Sequence, residues 1–309
     1  MKILVTGGAG FIGSHVADAY IEQGHEVVIV DNLSMGRMEN VNPRAQFVKL
    51  NIQDPEIIGL FKQEKFDVVN HHAAQMDVRL SVADPIYDAT NNVIGIINLL
   101  QASVKNGVKK FIFISSGGAI YGEQDYFPAD EQHPTRPLSP YGITKLTGEK
   151  YLYFYHHVYD LKFVILRYAN VYGPRQNPNG EAGVVAIFSS KMLTGDQPII
   201  NGDGLQTRDY VYVGDVINAN LKALEYNGND YFNIATGVET NVNELFHQLN
   251  HLTNAGAEEV HGSAQPGEQL RSILGIKKAK KLLNWTPQIS LNEGLAETVG
   301  YFKQYHNMK

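Results

Sequence analysis

The chain has 309 residues, enough for one large domain or two coupled ones around a substantial core. Its 26 Lys and Arg against 32 Asp and Glu give a net charge of -6 with no long basic tract, which argues against a nucleic-acid partner. The absence of cysteine excludes disulfides, thiolate nucleophiles and Cys-based metal sites and suits a cytoplasmic location. No apolar run approaches the roughly 18 residues of a membrane span, so no membrane partner is expected.

Three glycines fall within the first ten residues, so the N-terminus reads as folded structure rather than a signal peptide. From there, short β-branched runs alternate with longer amphipathic stretches. The expected strands are Lys2–Thr6, Glu26–Val30, Gln46–Leu50, Asp67–His71, Lys110–Ser115 and Lys162–Arg167; helices are expected near 12–23, 55–64, 86–105 and 140–158. Continuous apolarity in the strands, without alternation, is what burial on both faces demands. The pattern therefore predicts an α/β fold, a Rossmann-type doubly wound parallel sheet. Beyond Val171 the texture turns to Gly-, Asn- and Pro-rich loops, giving a first domain over 1–170 and a smaller C-terminal one over 171–309. The stretch 210–237 has strand and helix character enough to return to the edge of the first sheet.

Two motifs carry chemistry. The first is Gly7-x-x-Gly10-x-x-Gly13, placed directly after a strand and opening a helix. Glycines there permit a tight turn and close approach of backbone N–H groups to a pyrophosphate, whose charge the helix N-terminus favours. Asp31 ends the second strand 18 residues after Gly13, near the spacing of the carboxylate that holds an adenosine ribose. That carboxylate would repel a 2′-phosphate, so NAD is expected over NADP, with Arg37 the nearby cation that works against the preference. Asp54, before Pro55, reads as a helix N-cap.

The second motif is Tyr141-Gly-Ile-Thr-Lys145, opened by Ser139-Pro140. A spacing of four puts both side chains on one helical face. A tyrosine is a poor base near neutrality unless a cation stabilises its phenolate, and Lys145 supplies that cation. His71-His72 and His156-His157 read as structural or surface residues, and no metal site is expected. Tyr151, Tyr153, Phe154 and Tyr155 read as core or as a dimer-interface bundle.

Taken in order, TGGAGFIG (6–13), Asp31-Asn32-Leu33, His72-Ala73-Ala74, SSGGAIYG (115–122), SPYGITK (139–145), LRYANVYGPR (166–175), GDGLQTRDYVYVGDV (202–216) and KKAKKLLNWTP (277–287) resemble the extended short-chain dehydrogenase/reductases, most closely the NAD-dependent UDP-sugar 4-epimerases. The resemblance spans residues 1–305. It implies a Rossmann domain with a nucleotide-sugar domain behind it, NAD as cofactor, a UDP-sugar substrate and a homodimer. It implies that Phe11 and Ile12 line the pyrophosphate, that Asp31 and Asn32 hold the ribose, and that Asn51 and Ile52 flank the adenine. Asn51 stands where the family has Asp, so its amide oxygen would accept from the adenine amine. Ala73, Ala74, Gln75 and Asn92 would border the cofactor, and Tyr168 and Asn170 would lie near nicotinamide and substrate phosphates.

The family's catalytic hydroxyl falls at Gly117 here, and Ser116 is the expected replacement. Arg208 matches a diphosphate-binding arginine. A later R-x-G-D pattern has become Gln265-Pro266-Gly267-Glu268, with Arg271 the expected substitute for the missing arginine. Ser272 occupies the position beside the sugar's 2-substituent, where a small residue leaves room for an N-acetyl group. The loop 177–183, with Val184 after it, is expected to shape the sugar pocket. The implied reaction is reversible C4 epimerisation of a UDP-hexose through a 4-keto sugar, with Tyr141, Lys145 and Ser116 at the reacting carbon. A UDP-glucuronate 4-epimerase or decarboxylase, and a non-catalytic NAD-binding regulator, are the alternatives. A dehydratase would need an acidic pair where Gly117-Gly118 stands.

Overall fold

The computed structural model describes residues 1–179, 183–264 and 269–307. In chain order the elements are β1 (Lys2–Thr6), α1 (Phe11–Glu22), β2 (Glu26–Asp31), β3 (Gln46–Lys49), α2 (Glu56–Glu64), β4 (Val68–His71), α3 (Val78–Ala83), α4 (Pro85–Ala89), α5 (Gly95–Lys105), β5 (Lys110–Ser116), α6 (Gly117–Ile120), α7 (Pro140–Tyr159) and β6 (Lys162–Tyr168). There follow β7 (Asn170–Tyr172), α8 (Val184–Thr194), β8 (Ile200–Asn201), β9 (Thr207–Tyr212), α9 (Val213–Glu225), β10 (Asp230–Ile234), β11 (Glu239–Asn241), α10 (Val242–Thr253), β12 (His261–Gly262) and α11 (Leu291–Asn307). Two compact units result. The first comprises Met1–Ile120, Thr135–Arg167 and Ile217–Phe232; the second comprises Tyr121–Pro134, Tyr168–Val216 and the chain from Asn233 on. Relative to a division at 170, residues 121–134 group with the second unit and 217–232 with the first. None of the helices among the described residues is long and apolar enough to cross a membrane.

The first unit is built on a seven-stranded sheet in the order β10-β6-β5-β4-β1-β2-β3. The pairs β1·β2, β1·β4, β2·β3 and β4·β5 are parallel, with Val5 opposite Ile29 on one side and Asn70 on the other. Strand order reverses between β1 and β4, the switch point at whose carboxyl ends ligands of such sheets bind. Ile3, Leu4, Val5, Val28, Ile29, Val69, Phe111 and Ile112 have essentially no exposed surface. Burial of each such side chain contributes about 1.5–3 kcal/mol, which is why these unalternating runs settle as central strands. Of the stretch 210–237, β10 reaches the sheet beside β6, whereas β9 pairs with β7 and β11 in the second unit.

The single helix expected over 86–105 is broken into α4, a π-helical turn at Thr90–Ile94 and α5. The π turn carries Asn92 into a buried polar network. Helix α7 begins where Ser139 accepts a hydrogen bond from Gly142 N at 3.1 Å, with Pro140 in the first turn, and ends at Asp160 in the left-handed region. Asp54 does not cap α2: its carboxylate turns back to accept from Asn51 N at 3.3 Å, and its backbone carbonyl takes the N–H of Ile57.

The second unit holds the three-stranded sheet β11-β9-β7 and the parallel pair β12·β8. Phe188 of α8 meets Phe246 of α10 edge to face, and Trp285, buried, donates through Nε1 to the Asp215 carbonyl at 3.0 Å. Asp209 is buried in β9 and accepts from Thr236 N at 2.8 Å, Thr236 Oγ1 at 2.7 Å and Gly237 N at 2.9 Å. Those bonds fix the strand that carries Arg208.

Candidate active site

At the carboxyl end of β1 the chain turns through Gly7, whose φ of +69° lies in the left-handed region. Gly7 N donates to Val30 O at 2.8 Å and Gly10 N to Gly7 O at 3.1 Å, so the loop folds tightly over the strand ends. A Cβ on Gly13 would run into the Gly7 carbonyl, and one on Gly7 would lie 2.6 Å from Ala73 N. Phe11 and Ile12 open α1. Gly10, its N-cap residue, offers no side chain to the first-turn N–H groups, and that turn holds no acidic residue. This is a helix N-terminus left to an anion. Asp31, mostly buried, accepts from Ala9 N at 3.0 Å and Leu33 N at 2.8 Å, which locks its carboxylate beside the glycine loop. The bare helix end, the cradle that a Cβ would fill and the fixed carboxylate fit the pyrophosphate and ribose of NAD.

Two details differ from expectation. Asn51 Oδ1 already accepts from Asn32 Nδ2 at 2.6 Å, so its amide oxygen is shared with Asn32 rather than reserved for an adenine amine. Arg37 is drawn to Glu39 at 3.3 Å, away from the role of a 2′-phosphate partner. Ile52 is buried in the core.

The turn after β4 runs through His72, Ala73 and Ala74 to Gln75, and is bound to α4, the π turn and α7 by a buried network. Asn92 Oδ1 accepts from Gln75 N at 2.9 Å, and Asn92 Nδ2 donates to Gln75 O at 2.9 Å. Asp88, with no exposed surface, accepts from Gln75 Nε2 and Asn92 Nδ2, both at 3.0 Å, and from Thr144 Oγ1 at 2.9 Å. Spacing singles out neither Asp88 nor Thr144: the one hint in the sequence is that Thr144 falls between Tyr141 and Lys145, since a lone Asp in an expected helix gives no sign of burial.

Tyr141 and Lys145 lie one turn apart on α7 with the Lys145 Nζ 5.8 Å from the Tyr141 ring centroid. Lys145 is buried, and its Nζ donates to Ile114 O at 2.9 Å at the end of β5. Burial pushes its ammonium down to about 8, with the Asp88 carboxylate acting in the opposite direction. His71 and His72 flank it from β4 and the following turn. Burial, then the Lys145 charge, holds His71 well below its ordinary value and His72 at about 3, so both are neutral. Ser116 is the last residue of β5, and Gly117 begins α6. Its neighbour Ser115 is committed elsewhere, donating to Glu149 Oε1 at 2.6 Å.

In the second unit, Tyr168 is buried, Asn170 is exposed at the start of β7 opposite Tyr210, and Val184 is the first residue of α8. Arg208 Nη1 donates to Thr207 O at 2.8 Å. Ser272 is buried, its N–H given to Thr207 O at 3.2 Å. Arg271 is not the spare cation expected. Its Nε and Nη2 grip Glu239 at 2.6 and 2.8 Å, and its guanidinium lies 3.8 Å over the Phe127 ring. A bidentate carboxylate satisfies the fork that a diphosphate would need. Gln265, Pro266, Gly267 and Glu268 lie outside the described residues.

Residues 3–235 match the model of the NAD dependent epimerase/dehydratase family. The chain is similar to a UDP-glucose 4-epimerase structure from Thermotoga maritima with UDP-glucose, at 52% identity over 99% of this chain and 100% of that one with a TM-score of 0.98. It is also similar to the Thermus thermophilus UDP-glucose 4-epimerase complex with NAD, at 41% identity, 98% and 99% coverage and a TM-score of 0.93. A third is the UDP-N-acetylglucosamine 4-epimerase of Methanobrevibacter ruminantium, at 36% identity, 98% coverage of both chains and a TM-score of 0.93. With a family match over most of its length and relatives aligned nearly end to end, the chain belongs to the NAD dependent epimerase/dehydratase family.

Proposed function

We propose that this chain interconverts UDP-hexoses at C4, UDP-glucose with UDP-galactose, and that it also accepts the N-acetylated pair. The observation that carries the reading is the buried Lys145 one helical turn from Tyr141, its ammonium 5.8 Å from the phenol ring at the carboxyl end of β5. Gly7, Gly10 and Gly13 with the N–H groups of Phe11 and Ile12 hold the pyrophosphate. Asp31 and Asn32 hold the ribose, Asn51 and Ile52 the adenine, and Ala73, Ala74, Gln75, Asn92 and Tyr168 the nicotinamide end. Bound NAD supplies the acceptor and then the donor for the hydride at the sugar C4.

The protein's part is the proton. The Lys145 charge favours the phenolate of Tyr141, which takes the 4-hydroxyl proton as C4 becomes a ketone and returns it when the opposite epimer forms. Ser116 donates to the C4 oxygen and keeps it in line. Arg208, Asn170 and Val184 grip the UDP. A firm hold on UDP with a loosely held sugar lets the ketone turn over and present its other face. Ser272, small and buried, is consistent with space for a 2-acetamido group. With Arg271 tied to Glu239, the diphosphate rests chiefly on Arg208.

A homodimer belongs to this reading. Ile86 and Tyr87 of α4 and Ile143, Tyr153, Phe154 and Val158 of α7 are exposed, an apolar set suited to a second copy. The cysteine-free composition suits the cytoplasm. The test is incubation of purified protein with UDP-glucose and, separately, UDP-N-acetylglucosamine, with the epimers resolved by chromatography. Conversion of UDP-glucose is expected, with conversion of both supporting the Ser272 assignment. No turnover of either, even with NAD supplied, would bring forward the glucuronate or regulator readings.

A further inference from the structure

Asp88 is a carboxylate with no exposed surface whose hydrogen-bond donors, Thr144 Oγ1, Gln75 Nε2 and Asn92 Nδ2, are all neutral. Burial pushes the Asp88 carboxyl up, while the hydrogen bonds from Thr144 and Gln75 and the Lys145 charge favour its ionised form; a buried charge with only neutral donors is costly, and an opposite charge nearby offsets that cost. The opposite charge is Lys145. Its ammonium is buried as well, and its hydrogen bond goes to a neutral carbonyl, Ile114 O. The titratable groups around Lys145 are Tyr141 and Glu149, one turn to either side on its own helix, Asp88 on α4, and His71 and His72 at the end of β4; Glu149 is already answered by Arg167. The histidines are neutral, so they add no countercharge, and of this set Asp88 is the carboxylate that favours the ammonium.

Asp88 and Lys145 are also joined mechanically. Thr144, next to Lys145, donates its hydroxyl proton to Asp88, while Gln75 and Asn92 bind the same carboxylate from the other side. We propose that Asp88 is a positioning residue for the reaction: its carboxylate supplies the countercharge that keeps Lys145 an ammonium, and its hydrogen bonds tie the turn bordering the cofactor to the helix carrying Tyr141. This rests on the epimerase reading. Loss of the charge makes Lys145 give up its proton at lower pH, and the phenolate loses its partner there.

The experiment is the pH profile of kcat for Asp88→Asn, with Asp88→Ser as a second neutral variant should the first not fold. Asp88→Glu keeps the charge, and Thr144→Val removes a hydrogen bond but no charge. The neutral variant should move the alkaline limb to lower pH by about one unit or more, the usual scale for a nearby opposite charge. Asp88→Glu and Thr144→Val should leave that limb in place whatever they do to the rate. A limb that stays put in the neutral variants, or that moves as far in Thr144→Val, overturns the proposal. A carbon-13 titration of Lys145 Cε in the NAD-loaded protein, assigned by its loss in Lys145→Met, needs no turnover. If the wild-type protein converts no UDP-hexose, the function reading fails alone, and this titration still decides whether Asp88 holds the Lys145 proton. Its midpoint should fall in the neutral variant, and an unchanged midpoint refutes the countercharge.

Discussion

Replacing Glu149 by Gln should destabilise the first unit by about 3–5 kcal/mol, the cost of removing one partner of a buried ion pair. Glu149 and Arg167 are each only 6% exposed; Arg167 gives Nε to one carboxylate oxygen at 2.9 Å and Nη2 to the other at 2.6 Å. Ser115 Oγ donates to the same carboxylate at 2.6 Å, and the guanidinium lies 4.2 Å over the Tyr231 ring. The amide of Gln keeps the shape but removes the negative charge that faces the guanidinium, and turns an NH2 toward a donor. Glu149 sits one turn beyond Lys145 on α7, so this cluster also sets the rotation of the helix that presents Tyr141. Urea unfolding is the assay. With an m-value of about 3 kcal/mol/M, the loss lowers the midpoint by about 1–1.7 M at unchanged slope. The double variant Glu149→Leu with Arg167→Met should recover all but about 1–2 kcal/mol, the residue being the stranded Ser115 hydroxyl. A Glu149→Gln midpoint within about 0.3 M of wild type would refute the reasoning, because a buried charge would then have lost its partner at no cost.

Tyr141→Phe should lower kcat by about 10²–10⁴ with little change in KM or in retained NAD, and a smaller loss in steady-state assays would remove Tyr141 as the proton acceptor. Gly13→Ala should abolish NAD binding, read by loss of co-purifying nucleotide, because its Cβ has no place beside the Gly7 carbonyl. Stability should also fall on acidification. His71 and His72 are held neutral in the folded chain, His72 at about 3, while in the unfolded chain each titrates at 6.5. The unfolded state therefore binds more protons below pH 6.5, and each histidine removes up to about 1.4 kcal/mol per pH unit as the pH drops from there. Chemical unfolding at pH 7 and pH 5 measures the slope, which His72→Phe should lessen; an unchanged slope in that variant would show that His72 is not its source.

How much of this was legible depended on how local each feature is. β1, the glycine turn, Asp31 and α7 with its Ser139 cap are specified within short windows by apolar runs, glycine spacing and capping chemistry. The strand β10 lies beside β6 across more than sixty residues of chain, and nothing in its composition names that neighbour. The helix expected over 86–105 was broken because Asp88 and Asn92 have buried partners in Gln75 and Thr144, which periodicity alone does not register. Arg271 reads as a spare cation in sequence because Glu239, its bidentate partner, is 32 residues away. Ser115 is held by Glu149, which reaches it from α7 across 34 residues of chain, a pairing that spacing does not register.

The mechanism requires that the C4 hydride and the 4-hydroxyl proton leave and return within one site. UDP-glucose carrying deuterium at C4 tests it most directly, with the purified protein supplied no external NAD. The expected product is UDP-galactose that retains the deuterium at C4, with no incorporation at that carbon when unlabelled substrate reacts in D2O. Product that has lost the label to solvent, or no product at all after NAD is added, would contradict it.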